Sequence, residues 1–258
     1  MVNLYGILIS FSILLCILIA RSLLEKNSKD FKSKEENLWG ISLWAIIGGI
    51  IGARIYHVLS ALPYYIQNPL NIFALWNGGL GIWGAIAGGC VAVLIYLRKD
   101  LRNNKENILS WLDTLSVVLP LGQAIGRWGN FYNNEIFGVP TNLPWGLYLP
   151  PNNRPEEYLT FTKFHPLFIY ESILNFILFS ILFLLYKKHK DNVPKGTFLS
   201  LYLGGYSLIR FFLEYLRIDS WKLGSLNVSQ CISILVLSLS ILFIKYSSSK
   251  MKKEKNIK

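Results

Sequence analysis

Residues Leu4–Leu24 read LYGILISFSILLCILIARSLL, a run with no acidic residue and a single basic one, Arg21. About 20 apolar residues in a helix cross the hydrocarbon core of a bilayer, so this stretch predicts a membrane span. It lacks a basic start and a small-residue cleavage site, and is read as a retained span rather than a cleaved signal. Six further segments share its character: Trp39–Leu62, Leu75–Leu97, Trp111–Ile125, Pro166–Tyr186, Thr197–Leu216 and Leu226–Tyr246, the fourth span being the shortest. Charged residues make up only 16% of the 258, against roughly 25% in soluble domains. The sequence thus predicts an all-α integral membrane protein with seven transmembrane helices.

The net charge of +11 raises the question of nucleic acid, but the basic residues fall in short clusters between the apolar runs. Arg21, Lys26, Lys29, Lys32 and Lys34 follow the first span; Arg98, Lys99, Arg102 and Lys105 the third. Lys187, Lys188, Lys190 and Lys195 follow the fifth, and Lys245, Lys250, Lys252, Lys253, Lys255 and Lys258 close the chain. With seven alternating spans all of these lie on one side, while the second connection, Pro63–Ala74, has no basic residue. Basic connections stay in the cytoplasm, so the N-terminus is predicted outside and the C-terminus in the cytoplasm. Nucleic acid is not an expected partner.

The longest stretch outside the spans, about residues 126–165, carries Pro140, Pro144, Pro150, Pro151 and Pro155 with Trp145 and Tyr148 between them. It is too rich in proline for a helix interior and too long for a minimal connector. We expect a small folded periplasmic head between helices 4 and 5. One polytopic catalytic domain is expected over residues 1–249, followed by a basic cytoplasmic tail at 250–258. Cys16, Cys90 and Cys231 lie inside apolar runs at unrelated positions and read as small core hydrophobes. No Cys/His spacing suits a metal.

Charges inside spans are expensive and mark function unless they are paired. Arg54, Glu171, Arg210 and Glu214 lie within spans, and Arg127 at the end of the fourth. The densest stretch is GRWGNFYNNEIFG, Gly126–Gly138. It sets one guanidinium, three Asn amides and one carboxylate among glycines that let backbone approach a ligand. The planar fork of Arg127 fits a phosphate, and Asn130 and Glu135 suit hydroxyls. This combination suits a lipid phosphate with a hydroxylated head; the alternative is a polar turn in which Arg127 and Glu135 pair. In the sixth span, Tyr206, Arg210, Glu214 and Arg217 follow helical spacing along one face, and Arg210 can pair with Glu214 at i,i+4. HPLFIYE, His165–Glu171, opens the fifth span with a proline suited to a first turn. It reads equally as an interfacial cap and as a functional group. WNGGLGIWG, Trp76–Gly84, and the glycines Gly48, Gly49 and Gly52 beside Arg54 read chiefly as close-packing strips.

Taken together and in this order, these blocks resemble the bacterial prolipoprotein diacylglyceryl transferases. The resemblance spans nearly the whole chain, from Tyr5-Gly6 through Gly52-Ala53-Arg54, Trp76–Leu80, Asp113, Gly126–Gly138 and His165–Glu171 to Tyr206, Arg210, Glu214 and Arg217. The pattern Gly-Arg-x-Gly-Asn-Phe-x-Asn-x-Glu-x-x-Gly is matched at every fixed position. The resemblance implies a transferase of the bacterial cytoplasmic (inner) membrane. It would move the diacylglyceryl group of phosphatidylglycerol to the lipobox cysteine of a prolipoprotein signal peptide, with no metal and no organic cofactor. By position, Arg127, Asn130 and Glu135 would form the phosphate site, and Arg210, Glu214 and Tyr206 a second part of the cavity. Tyr5 matches a family tyrosine in the first span. One departure is Trp83, where many members carry a histidine considered as a general base; an indole accepts no proton in that role. The alternatives are therefore a divergent lipid-binding paralogue with altered or lost activity, or a small-solute transporter lined by the intramembrane charges.

Overall fold

In a computed structural model of the chain, residues 4–24, 30–101, 108–218, 222–223 and 226–256 are described. Lys26, Lys29, Arg102, Lys105 and Lys258, on which the orientation argument draws, lie outside them, as do the side chains of Asn77, Lys99, Lys252, Lys253 and Lys255. The elements are helices α1 (Leu4–Leu23), α2 (Phe31–Ser60), α3 (Leu62–Gln67), α4 (Ile82–Leu101), α5 (Ile108–Tyr132), α6 (Leu167–His189), α7 (Thr197–Leu213) and α8 (Val228–Asn256). Two small antiparallel pairs join β1 (Leu147–Tyr148) to β2 (Lys163–Phe164) and β3 (Lys222–Leu223) to β4 (Leu226–Asn227).

Five helices, α1, α2, α5, α6 and α8, are long and apolar enough to cross a membrane, and Ile82–Arg98 of α4 is a shorter apolar helix. A helix of 20 residues is about 30 Å long, the thickness of the hydrocarbon core. Rows of large side chains on these helices face outward, such as Leu43, Ile47, Ile51 and Ile55 on α2 and Leu235, Leu239 and Leu242 on α8. Apolar surface on that scale is stable only where lipid is the solvent. The chain is a helical, multi-pass membrane protein.

Each of the seven predicted spans overlaps one helix, five of them long and apolar enough to cross a membrane, but several boundaries differ. The third helix starts at Ile82 rather than Leu75: Leu75–Asn77 form a 3₁₀ turn, and Gly78 and Gly79 follow at φ +80° and +75°. Positive φ at two successive residues ends helical geometry, although the local composition is apolar enough to read as a span. The fourth helix runs two turns beyond Ile125, to Tyr132, so the first half of the Gly126–Gly138 block is helical. The sixth ends at Leu213, followed by a 3₁₀ turn over Glu214–Leu216. Arg217 is extended and bridges to Gly138. It therefore leaves the helical face on which spacing had placed it.

The chain forms two compact units, Leu24–Ile108 and the remainder, Met1–Leu23 with Leu109–Lys258. In the Leu24–Ile108 unit, α2 and α4 pack through glycine. A Cβ on Gly52 would meet the carbonyl oxygen of Gly84, and one on Gly88 that of Gly48. Backbones in such close approach leave no room for a side chain. Gly52→Val is expected to lower stability by roughly 1–3 kcal/mol through overpacking. Gly49→Ala, whose Cβ would sit an ordinary 3.6 Å from the nearest atom, should be tolerated. Thermal unfolding of both variants in detergent checks the pair.

In the larger unit, α7 packs against α6 and α8. Its N-terminus is held by Asp113 of α5, buried at 6% exposure. The two oxygens of Asp113 accept the backbone N–H groups of Gly196 at 2.6 Å and Leu199 at 2.8 Å. Residues 133–166 form a folded cap whose Phe137, Leu149 and Phe164 pack in one small core with Phe168 of α6. Gly138 donates its N–H to the His165 carbonyl, and Val139 to that of Leu216. The cap thereby ties the end of α5 to the start of α6 and the end of α7. A Cβ on Gly138 would fall 2.6 Å from the Leu216 carbonyl oxygen, which accounts for glycine there.

Candidate active site

Three helices of the larger unit bring charged side chains together around one carboxylate. Glu171, in the second turn of α6, is 1% exposed. Its Oε1 accepts from Arg127 Nη2 of α5 at 2.6 Å and from the Tyr206 hydroxyl of α7 at 3.2 Å. Its Oε2 lies 3.6 Å from Arg210 Nη1 of α7. Ser172 Oγ donates to the Ala124 carbonyl at 2.8 Å, holding α6 to α5 at this level. Two guanidiniums from different helices thus share one buried carboxylate.

Each arginine also reaches outward. Arg210 Nη2 donates to Glu214 Oε2 at 3.0 Å, and Arg217 Nη1 lies 3.9 Å from that oxygen. Arg127 Nη1 makes a long contact of 3.4 Å to Asn130 Oδ1. Among the described residues its buried Nε has no partner. Asn130 Nδ2 donates to Glu135 Oε2 at 2.9 Å, and Asn133 Nδ2 to Glu135 Oε1 at 3.3 Å.

Glu135 returns to Asn130 because of how α5 ends. Asn134 sits at φ +54°, its N–H bonds the Phe131 carbonyl, and the Glu135 N–H bonds that of Asn130 at 2.8 Å. This is a Schellman cap with Asn in the left-handed position where glycine is usual. Ile136 follows at φ +59°, a rare conformation for a β-branched residue. The helix end is folded back so that the carboxylate faces the last turn.

The two groups expected from sequence, Arg127–Asn130–Glu135 and Tyr206–Arg210–Glu214, are both present, and Glu171 joins them. Arg127 pairs with Glu171 and not with Glu135, so the simple polar turn does not describe the block. Tyr5 of α1 packs its ring over Gly129, where a Cβ would collide with it, and so lies beside the turn bearing Arg127 and Asn130. His165 and Tyr170 are engaged elsewhere. His165 Nδ1 and the Tyr170 hydroxyl are 3.1 Å apart, and Trp145 Nε1 donates to that hydroxyl at 2.7 Å. Glu171 is the residue that sequence left without a role. The signal for it was its charge inside a span, an expensive placement that calls for a partner.

Arg54, in the other unit, is a different case. It is 7% exposed, and its guanidinium donates to the backbone carbonyls of Asn71, Ile72, Ala74, Gly78 and Gly79. Its charge is spent on gathering that loop, so the structure makes it a fastening for residues 71–79. A cavity of about 310 Å³ beside it is lined by His57, Tyr64, Tyr65 and Asn71. Trp83, in the first turn of α4, is 67% exposed.

Two guanidiniums anchored on a shared carboxylate, with amide and hydroxyl groups beside them, can bind a phosphodiester and stabilise charge developing on it. Among the described residues no group of His, Cys, Asp and Glu is arranged to hold a metal ion.

The sequence matches the family described as prolipoprotein diacylglyceryl transferase over residues 1–246. It is 44% identical over 200 residues to the phosphatidylglycerol–prolipoprotein diacylglyceryl transferase of a Synechocystis species, covering 76% of this chain and 69% of that protein. The protein of the same name from a Nostoc species is 40% identical over 242 residues, 92% of this chain and 82% of its own length. That from Fervidobacterium nodosum is 37% identical over 252 residues, 98% and 83% of the two chains.

Proposed function

The chain belongs to the prolipoprotein diacylglyceryl transferase family, and on that premise we propose that it transfers the diacylglyceryl group of phosphatidylglycerol to the lipobox cysteine of prolipoproteins. The observation that carries this reading is the pair Arg127 and Arg210, brought from two helices onto the one buried carboxylate of Glu171. A cationic pair of this kind inside a membrane protein suits the phosphodiester of a lipid.

The substrate thiolate attacks the glyceryl carbon next to the phosphate. A sulfur–carbon bond forms, the carbon–oxygen bond breaks, and the electron pair leaves with glycerol phosphate. Arg127 and Arg210 stabilise that growing charge, and Asn130 orients the phosphate. The thiol must lose its proton, since the thiolate is the nucleophile. Glu135 is the acceptor we favour. It is exposed and bonded to neutral amides, whereas Glu214 is engaged by Arg210 and Arg217. Tyr206 holds Glu171 in place, and Tyr5 packs against the turn that carries the phosphate site.

The enzyme spans the bacterial inner membrane seven times, with its N-terminus outside. The cap is on the periplasmic face, where prolipoproteins present their lipobox, and the basic end of α8 is in the cytoplasm. Purified protein incubated with phosphatidylglycerol and a lipobox peptide should give a diacylglyceryl adduct on cysteine by mass spectrometry, and none on a Cys→Ser peptide. Absence of adduct from folded protein that binds the lipid would overturn the reading in favour of a lipid-binding paralogue, for which Trp83 is the specific motive.

A further inference from the structure

The position of Glu171 raises a question that phosphate binding alone does not answer. A site built to grip an anion gains nothing in the bound state from a buried carboxylate within 3.6 Å of both guanidiniums. Burying that carboxylate is itself costly. The reaction supplies a reason, and this argument rests on the transferase reading above. The donor lipid is a phosphodiester with one negative charge. Breaking the glyceryl carbon–oxygen bond leaves its electron pair on the phosphate, so the departing glycerol phosphate is a monoester with a second charge. Without Glu171, Arg127 would stand unopposed and Arg210 would be offset by Glu214 alone, and in a weakly screened site the pair would hold that product far more tightly than the substrate.

We propose that Glu171 is the charge-setting residue of the site. It offsets Arg127 and Arg210 so that the pair holds the singly charged diester and releases the doubly charged monoester. Both oxygens of Glu171 are used, one on Arg127 and Tyr206 and the other on Arg210, so one side chain sets the charge of both arginines. It is a positioning residue as well, because the same contacts fix the two forks relative to each other. Glu214, also paired with Arg210, cannot replace it, having no contact with Arg127 among the described residues.

The test compares full-length wild type, Glu171→Gln and Glu171→Asp in detergent. Binding of glycerol phosphate is read by calorimetry, and adduct formation by rapid-quench mass spectrometry. Glu171→Gln is expected to bind glycerol phosphate at least about tenfold more tightly than wild type. It should also show a burst of one adduct per protein followed by slow turnover. Glu171→Asp, which keeps the charge, should bind the product as wild type does. Equal product affinity in wild type and Gln variant overturns the proposal, as does an Asp variant that tightens as much as the Gln variant. If Glu171→Gln does not fold, competition on wild type decides. Phosphatidic acid as the dianion should compete with phosphatidylglycerol no better than another diester lipid, and a tenfold preference for the dianion contradicts the idea. Product affinity is read without turnover. A wild type that makes no adduct therefore defeats the transferase reading separately.

Discussion

Arg127→Ala is expected to leave the protein inserted and folded but to lower transfer by about 10³-fold or more. Removing a single preorganised donor to a developing oxyanion costs 10²- to 10³-fold, and this substitution removes a full charge and a fork of donors together. Fold survival follows from the geometry around Glu171. Its Oε2 keeps Arg210 at 3.6 Å and its Oε1 keeps the Tyr206 hydroxyl at 3.2 Å, so the buried carboxylate is not stranded. Arg127→Lys, which keeps the charge but loses the planar fork, should fall between the two. Adduct yield per folded molecule against phosphatidylglycerol concentration measures both. Normal turnover by the Ala variant would show that the phosphate is held elsewhere.

Asp113→Ala should have the largest effect on stability, a loss of about 3–4 kcal/mol. Hydrogen bonds to a charged group contribute about 1.5–3 kcal/mol each, and Asp113 makes two, to Gly196 and Leu199. Its removal leaves both N–H groups buried without that acceptor. It also strips a negative charge from the positive end of α7. Asp113→Asn keeps the shape and one acceptor, and should lose less. Unfolding temperature in detergent reports the difference. Because α7 carries Tyr206 and Arg210, the Ala variant should also lose activity at temperatures where wild type still works.

The helices were legible because spanning a bilayer demands long apolar runs, and in Leu4–Leu24 the single charge, Arg21, falls in the last turn of the helix. Their ends were less so. Gly78 and Gly79 take left-handed conformations inside a stretch whose hydropathy matches a span. Asn134 caps α5 in a position where glycine is the usual marker. At the site, local pairing was readable: Arg210 and Glu214 are one turn apart and do pair. The bond between Arg127 and Glu171 joins residues 44 apart in the chain, and no periodicity encodes it. Arg54 is the converse case. A charge within a span reads as functional, yet backbone carbonyls of residues 71–79 satisfy it, a solution visible only when that loop is seen folded over it.

The most direct measurement follows the phosphate. Phosphatidylglycerol labelled in its headgroup is incubated with the purified protein and a lipobox peptide, and released label is compared with adduct. Diacylglyceryl transfer at the arginine pair predicts one glycerol phosphate per thioether, none without peptide and none with a Cys→Ser peptide. Release of lysolipid with a single acyl chain on the peptide, or of label without any thiol, would contradict the account.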